Sequence, residues 1–185
     1  MRAVMLEVDP ELLAERARRE LDRHDEMRDG ELRMVPLASG PHRRLGSHLL
    51  RTVWPLVEER KLWMSYTTGI VRADDDYRVP ELAIYRPDQA SERGAEGAEL
   101  IIAIRWPGDE STAKIPWYFH QGCREVLIVD RDTLAVELHA PNGIVVPARS
   151  EVLGCTFTTV DGPAVEITWD GGSATVRHHP ADLTS

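Results

Sequence analysis

The residues that could do chemistry lie between Arg78 and Asp130. Glu81 stands in an apolar run, and Lys114 lies one helical turn before Tyr118. A carboxylate can bind a divalent cation, and a nearby lysine can hold a phosphate or a water by its positive charge. Each residue also has an ordinary interpretation, a surface acid on a strand and an exposed lysine on a helix. The residue types permit phosphate chemistry without establishing it.

Three other ionisable side chains lie close to Lys114 in the sequence. Asp109 and Glu110 begin the predicted helix that carries the lysine, and they could reach a metal ion. Acids in a first helical turn more often interact with the helix dipole. Arg105 ends the preceding strand, where it is either a functional base or a solvated strand residue. These alternatives stay open on the sequence alone.

A further basic set lies on the helix predicted for residues 41–60. Arg44, His48 and Arg51 recur at helical spacing. With His42 near the helix start, they could form a basic face, although such a face is more often only solvated. The formal net charge of −9 argues against an ordinary nucleic-acid-binding protein, because Lys and Arg contacts to phosphates supply most of the affinity for DNA. Any contact with nucleic acid must be local.

The elements that position these residues begin with a helix. Asp9-Pro10-Glu11 is typical of a helix start, and the apolar spacing that follows predicts a helix over about residues 10–22. Asp29-Gly30 predicts a two-residue hairpin turn. The second long helix, over residues 41–60, contains Pro55, which is expected to kink or end it.

The middle of the chain predicts three strands, in WMSYTTGIV, VPELAIY and ELIIAIRW, separated by a turn at DDDYR and a solvated loop at DQASERGAEGA. A helix over Asp109 to Phe119 and two strands, EVLIVD and TLAVELH, follow. Beyond Pro141 the short apolar runs and glycine-containing turns predict antiparallel hairpins to about residue 179. Val165, Ile167 and Trp169 alternate with polar residues, so one apolar face needs covering.

Composition places the chain among globular proteins. It has 185 residues, 42% of them hydrophobic and 29% charged, which predicts one domain with a substantial core. No apolar run approaches the roughly 20 residues of a membrane helix, and the first residues do not resemble a signal peptide, so a cytoplasmic location is expected. Cys123 and Cys155 lie in apolar surroundings and are expected to be reduced core thiols.

The ordered motifs are similar to those of the putative restriction endonuclease (Uma-type) family of the PD-(D/E)xK nuclease superfamily. The resemblance covers about residues 10–140 and is carried by Glu26, Asp29-Gly30-Glu31, His42, Arg78-Val79-Pro80-Glu81, Trp106 to Glu110, Lys114, Tyr118, Gly122 and Glu125 to Asp130. The resemblance implies an α/β fold, a restriction-endonuclease-like mixed sheet flanked by helices, with a β-rich C-terminal extension over about residues 141–179. No single motif is specific, but their order is.

The resemblance also implies a chemistry, the Mg²⁺-assisted hydrolysis of DNA phosphodiesters. Glu81 then corresponds to a metal ligand and catalytic carboxylate, and Lys114 to the contact with phosphate or water. His42, Arg44 and Arg105 become candidate nucleic-acid contacts. The second acidic ligand of the family is replaced by Ala103, so Mg²⁺ binding is expected to be weak or absent.

Two functions follow as hypotheses. The first is a divergent relative of Mg²⁺-dependent DNA endonucleases in which catalysis is weakened or lost, because Ala103 removes a ligand and Trp106 adds bulk where relatives have a small polar residue. Glu81 is also one methylene longer than the family's aspartate, and a displacement of about 1 Å can cost on the order of 10²-fold in rate. The second is a noncatalytic binding or assembly protein with the same fold, for which a homodimer formed through the C-terminal strands is one form. Whether the chain is an enzyme stays open.

Overall fold

The computed structural model describes residues 3–5, 9–19, 24–35 and 38–178. Within these residues the helices are α1 (Pro10–Arg18), α2 (Gly40–Glu59) and α3 (Ile115–His120), with 3-10 turns at Pro87–Gln89 and Thr112–Lys114. The first nine strands are β1 (Ala3–Met5), β2 (Glu26–Arg28), β3 (Glu31–Met34), β4 (Trp63–Tyr66), β5 (Ile70–Ala73), β6 (Asp76–Arg78), β7 (Leu82–Tyr85), β8 (Ala90–Ser91) and β9 (Gly94–Ala95). The later strands are β10 (Leu100–Arg105), β11 (Glu125–Asp130), β12 (Val136–Ala140), β13 (Gly143–Val145), β14 (Ala148–Ser150), β15 (Cys155–Val160), β16 (Ala164–Trp169) and β17 (Gly172–Arg177).

A six-stranded mixed sheet forms the centre, in the order β13-β12-β11-β10-β7-β4. Strands β10 and β11 pair in parallel, and the connection between them contains α3, whereas β7 runs antiparallel to β10. Successive side chains of a strand point to opposite faces. Ile102 and Ile104 accordingly join the core on the α2 side, whereas Ile101 and Ala103 join the core on the α3 side. This is the predicted mixed α/β architecture.

A second sheet, of seven short strands, is built around the early hairpin, in the order β1-β3-β2-β6-β5-β9-β8. Asp29 and Gly30 both have positive φ, 49° and 83°, as a tight hairpin turn between β2 and β3 requires. Met27 on β2 pairs with Tyr77 on β6, which brings the hairpin beside the segment that leads into β7. The predicted hairpin is therefore confirmed, and its position near Glu81 matters for the site.

The C-terminal strands form a four-stranded antiparallel sheet in the order β14-β15-β16-β17. Its apolar face carries Phe157, Val165, Ile167 and Val176, which belong to the same buried cluster as the core residues of α2. Helix α2 therefore covers this face within one chain, between the two sheets. The predicted hairpins are confirmed, and their apolar face needs no second copy to cover it.

Two helix predictions need correction. Helix α1 ends at Arg18, and the predicted residues 20–22 lie outside the described part of the chain. Helix α2 continues through Pro55 to Glu59. Proline removes only one backbone donor, and Pro55 lies on the exposed face where water can satisfy the freed carbonyl, while burial of the next turn holds the helix together.

Four local predictions were also wrong. DDDYR is a turn only at its start, since Asp76–Arg78 is strand β6 and Asp76 is buried against Arg78 and Trp117. WMSYTTGIV forms two strands, β4 and β5, instead of one. The loop DQASERGAEGA contains a 3-10 turn and the β8–β9 hairpin. The helix expected over Asp109 to Phe119 instead begins with the 3-10 turn Thr112–Lys114 and continues as α3. The Asp109 carboxylate lies before this turn and accepts hydrogen bonds from Ser111.

Two simpler expectations concern the thiols and the membrane. Cys123 and Cys155 are buried and unpaired, and burial raises the pKa of each to about 12, so both are reduced core thiols as expected. None of the helices within the described residues is long and apolar enough to cross a membrane.

Candidate functional site: a cleft between α2, β7, β10 and α3

Glu81 and Ala103 lie side by side in the central sheet, where β7 begins next to β10. The β7–β10 register pairs Ile102 with Leu82, so the next pair along the two strands is Ala103 with Glu81. Residues opposite each other on neighbouring strands point to the same face. Both side chains accordingly line one cavity of about 370 Å³. The predicted juxtaposition of the acid and the alanine is present.

His42 reaches the same carboxylate from the start of α2. Ser39 caps this helix by accepting a hydrogen bond from the His42 backbone N–H, which fixes the histidine at the helix entrance. The His42 Nε2 atom is 3.0 Å from Glu81 Oε1, while Glu81 Oε2 accepts from the Ile104 backbone N–H at 3.2 Å. Both carboxylate oxygens of Glu81 are therefore already engaged.

Lys114 lines the cavity from the turn before α3, but its ammonium is held by Glu26. The Lys114 Nζ donates to Glu26 Oε1 at 2.6 Å, and this oxygen also accepts from the Val79 backbone N–H at 3.0 Å. Glu26 Oε2 accepts from Arg28 at 2.9 Å. Glu26 is fully buried. A buried carboxylate behind the site therefore fixes the lysine in place.

The sequence drew attention to Glu26 only as part of a hairpin motif, not as a site residue. Burial alone raises the pKa of its carboxyl, but the charge of Lys114 and hydrogen bonds from Lys114, Val79 and Arg28 outweigh burial and lower the pKa below its ordinary value. Glu26 is thus ionised at neutral pH. The one signal in the sequence was the place of Glu26 just before the Asp29-Gly30 turn.

Tyr118 brings a polar group without a partner into the cleft. The side chain lies on α3 and is 1% exposed, and its hydroxyl has no hydrogen-bond partner within the described residues. Burial, followed by the negative charges of Glu26 and Glu81, raises the pKa of Tyr118 well above its ordinary value, so the phenol keeps its proton. Tyr118 thus lines the cavity, and its buried hydroxyl donates to no group within the described residues.

The remaining walls of the cavity combine apolar and aromatic side chains with polar ones, including Arg43, Ser47, Thr67 and Ser111. Trp106 meets the ring of His42 edge-on, with ring centroids 5.1 Å apart. Tyr66 lies against α2 at Gly46, where a Cβ would be only 2.9 Å from its ring. Arg43 lies at the opening. Sequence reasoning identified neither Tyr66 nor Arg43 as site residues, because only the tertiary fold brings them to this cleft.

Two predicted nucleic-acid contacts lie outside the cleft. Arg105 pairs with Glu137 at 2.9 Å and with Asp130 at 3.5 Å, so strands β11 and β12 neutralise its charge. Arg44 is exposed on α2 and does not line the cavity. Of the three basic candidates, the structure brings only His42 to Glu81.

Asp109 and Glu110, the acids near Lys114 in the sequence, already make other contacts. Asp109 accepts from the backbone N–H and the hydroxyl of Ser111, at 3.0 and 2.7 Å, and from the Trp106 backbone N–H at 3.3 Å. Glu110 pairs with Arg28. Neither carboxylate contacts Glu81: Asp109 holds its own loop, and Glu110 binds the early hairpin through Arg28.

The described residues do not fit a magnesium centre held by two carboxylates. Mg²⁺ requires near-octahedral oxygen coordination and is usually bound through one or two carboxylates that keep their oxygens available. Among the described residues, Glu81 is the one carboxylate that lines the cavity, and His42 and Ile104 each already contact one of its oxygens. Within the described part of the chain, no cluster of three or more His, Cys, Asp or Glu side chains could hold a metal ion. The cleft therefore offers one engaged carboxylate, Glu81, with Ala103 beside it.

The central mixed sheet contains a parallel strand pair connected through a helix, and an acid, a lysine and a histidine line the cleft beside it. Together these features define a nuclease-like fold. The family model described as "Putative restriction endonuclease", Uma2, matches residues 10–158, and the chain belongs to this family. Among solved structures it resembles a putative nuclease belonging to DUF820 from Anabaena variabilis, with a TM-score of 0.54 and 16% identity over 68% of this chain and 78% of that chain. This likeness shows the fold. A search of curated proteins finds no match.

The first prediction concerns the buried acid. Glu26→Gln should lower the free energy of unfolding by about 3–5 kcal/mol at neutral pH, because the substitution leaves the Lys114 ammonium without its counter-charge in a buried site. Urea unfolding measures the loss. The matched control is Glu31→Gln on the same hairpin, whose exposed ion pair with Arg33 should be worth about 0–1 kcal/mol.

This effect should depend on pH with a defined sign. The folded-state pKa of Glu26 lies below its ordinary value of 4.5, so the ionised carboxylate stabilises the fold fully above about pH 4.5. That contribution is lost as the pH falls through the folded-state pKa. The stability difference between the parent and Glu26→Gln should therefore be complete at pH 7 and shrink in acid. A difference that grows in acid would contradict this assignment.

The second prediction concerns the phenol. Tyr118→Phe should raise the free energy of unfolding by about 1 kcal/mol, because a buried hydroxyl without a partner is removed. Tyr85→Phe is the control, since the Tyr85 hydroxyl bonds Ser65 Oγ at 2.7 Å and its loss should cost about 1 kcal/mol. Equal destabilisation of the two variants would mean that Tyr118 does have a partner.

Proposed function

We propose that this chain is a divergent restriction-endonuclease-family protein in which Mg²⁺-dependent DNA cleavage is weakened to the point of loss. The observation that supports this most strongly is Ala103 beside Glu81, on the face where the family's second acidic ligand is expected. Glu81 is the residual ligand of the ancestral centre, and Lys114 is its residual phosphate contact. The cleft persists as a binding site.

The contacts of Glu81 explain why a metal ion would bind weakly. A cation would compete with the His42 contact and the Ile104 backbone donor for the carboxylate oxygens. The ion would then have a single protein carboxylate and would keep most of its water, which Mg²⁺ gives up reluctantly. Trp106 stands at the same wall and leaves less room for a hydrated ion. One engaged carboxylate is a poor metal site.

DNA is the substrate that the family suggests, and the charges of this chain limit how it could bind. The net charge is −9, so a nucleic acid would need a local basic surface. Arg44 is exposed at the N-terminal half of α2 and keeps this role in the proposal. Arg105 is a weaker candidate because Glu137 and Asp130 already neutralise it.

A two-carboxylate site should be restorable. Ala103→Glu combined with Glu81→Asp places two carboxylates on neighbouring strands, and the open cavity gives the longer side chain at position 103 room. The double variant should bind Mn²⁺ at least about tenfold more tightly than the parent, a difference of about 1.4 kcal/mol. Isothermal titration calorimetry on the two proteins measures it.

The control for this experiment is Ala103→Gln with Glu81→Asp, which has the same shape but one fewer charge. It should bind Mn²⁺ no better than the parent. Negligible binding by all three proteins would mean that Ala103 does not occupy the vacated ligand position.

Cleavage of plasmid DNA is tested after adding Trp106→Ser, because the indole occupies the wall of the site. Efficient Mg²⁺-dependent cleavage by the parent would refute the proposed loss of activity.

One observation favours the assembly alternative, a homodimer. Strand β4 is an edge of the central sheet, and Trp63 on it is 53% exposed, beside Trp54 of α2 at 42%. Exposed tryptophans next to an open strand edge are typical of an interface. Glu58 and Lys61 line the same groove and give it opposite charges, as a self-complementary twofold contact requires. This edge suits a second copy better than the C-terminal sheet, whose apolar face α2 covers.

The dimer has a direct test. Light scattering with size-exclusion chromatography should give the parent twice the chain mass, and Trp63→Lys should convert it to a monomer, because a charge is placed in the contact. Ile144→Lys is the control, since Ile144 is 60% exposed at the opposite edge of the sheet and should leave the dimer intact. A monomeric parent would refute the assembly function.

A further inference from the structure

Helix α2 presents a basic outer face in a chain that is acidic overall. Residues 40–57 of this helix include three arginines and no Asp or Glu, whereas the whole chain has a formal net charge of −9. Arg43, Arg44 and Arg51 are exposed. His42 is buried and His48 is half-buried, so the arginines carry the charge of this surface. These three arginines are called the α2 face.

The strands packed against α2 do not cancel this charge. Helix α2 contacts β4, β7 and β17, and none of these three strands contains Asp or Glu. Strand β17 instead ends in an exposed arginine, Arg177. Glu81, just before β7, faces the cleft, and Glu58 and Glu59 lie about two turns beyond Arg51. Positive charge is therefore concentrated on the N-terminal part of α2.

Helix stability does not explain this order of charges. The helix dipole favours acids at the N-terminus and cations at the C-terminus. Helix α2 has no acid in its first turn, and Arg43 and Arg44 lie near its start. Its last turn contains Glu58 and Glu59 and no basic residue. The order is the reverse of the one that stabilises a helix, whereas a bound polyanion would be attracted by both the arginines and the positive end of the dipole.

The shape and composition of the α2 face favour duplex DNA over other anionic partners. Within the described residues, no large apolar side chain is exposed between Arg43 and Arg51. A protein partner needs apolar or aromatic anchors, and a single nucleic-acid strand needs a groove with aromatic side chains for its bases. The convex outer surface of this part of the helix offers neither. Duplex DNA can be bound through its phosphates alone.

We propose that the α2 face docks the phosphate backbone of duplex DNA, without a metal ion and without reading the base sequence. At a rise of about 1.5 Å per residue, Arg44 and Arg51 lie about 10 Å apart along the helix. One strand of duplex DNA advances about 3.4 Å per nucleotide, so the two arginines span about three nucleotides. Arg43 also lines the cleft, so the α2 face is continuous with the site of Glu81 and Lys114. This inference rests on the proposed function, because it assigns the DNA contact that remains when metal chemistry is lost.

The test measures binding of a fluorescently labelled DNA duplex of arbitrary sequence by anisotropy, in EDTA and at low salt. Arg44→Gln combined with Arg51→Gln should weaken binding at least about tenfold, because two phosphate contacts are lost. The slope of log K against log salt should become shallower by about two. The matched control is Arg124→Gln with Arg149→Gln, which makes the same change in net charge at two exposed arginines outside α2. It should change the affinity by less than about twofold.

Three outcomes would overturn the inference: no binding of the duplex by the parent, equal weakening in the two double variants, or tighter binding of a single strand than of the duplex. Tighter binding of poly-glutamate than of the duplex would also overturn it and assign the face to an acidic protein. Urea unfolding shows whether each variant is folded. The salt dependence of the parent decides the matter without any variant, since three phosphate contacts predict a slope of about −2.7 and a slope near zero would contradict them.

Failure of this inference can be told apart from failure of the proposed function. EDTA removes divalent ions, so binding of the duplex does not depend on any metal. Absence of duplex binding together with absence of Mn²⁺ binding would refute the α2 face and leave the loss of metal chemistry standing. Mg²⁺-dependent cleavage by the parent would refute the loss of metal chemistry, while the comparison of the two double variants would still decide whether α2 binds DNA.

Discussion

The buried carboxylate of Glu26 is the constraint on which the cleft depends. This carboxylate accepts hydrogen bonds from Lys114 in the turn before α3, from the Val79 backbone N–H in the segment before β7, and from Arg28 in its own hairpin. These contacts tie together elements that lie far apart in the sequence. A buried ion pair contributes little net stability but strongly penalises any arrangement that separates its charges. Glu26 therefore fixes where Lys114 and the Pro80-Glu81 segment lie relative to each other.

An alanine at position 103 is consistent with the contacts that Glu81 makes. Two carboxylates side by side repel each other unless a cation lies between them, and one of them takes up a proton. With alanine at position 103, Glu81 instead accepts from the Ile104 backbone and contacts His42. Beside this carboxylate, the buried Tyr118 hydroxyl donates to no group within the described residues.

Local sequence patterns predicted the features that depend on local physics. Asp29-Gly30 produced the expected turn, and the expected neighbours Glu81 and Ala103 share a face because side chains alternate along strands. Features decided by tertiary pairing escaped prediction. The acid-rich run around Asp76 reads as a turn, yet burial against Arg78 and Trp117 makes part of it a strand. The role of Glu26 depends on partners up to 88 residues away, which no local pattern reveals.

The central claim is that the cleft of the natural chain has no metal centre and keeps Glu81 bound to His42. The most direct measurement is a crystal structure of the parent protein soaked in MnCl₂, with anomalous scattering recorded above the manganese absorption edge. The account predicts no anomalous peak beside Glu81 and an intact contact between Glu81 and His42. A manganese peak within coordination distance of the Glu81 carboxylate, with His42 displaced, would contradict it.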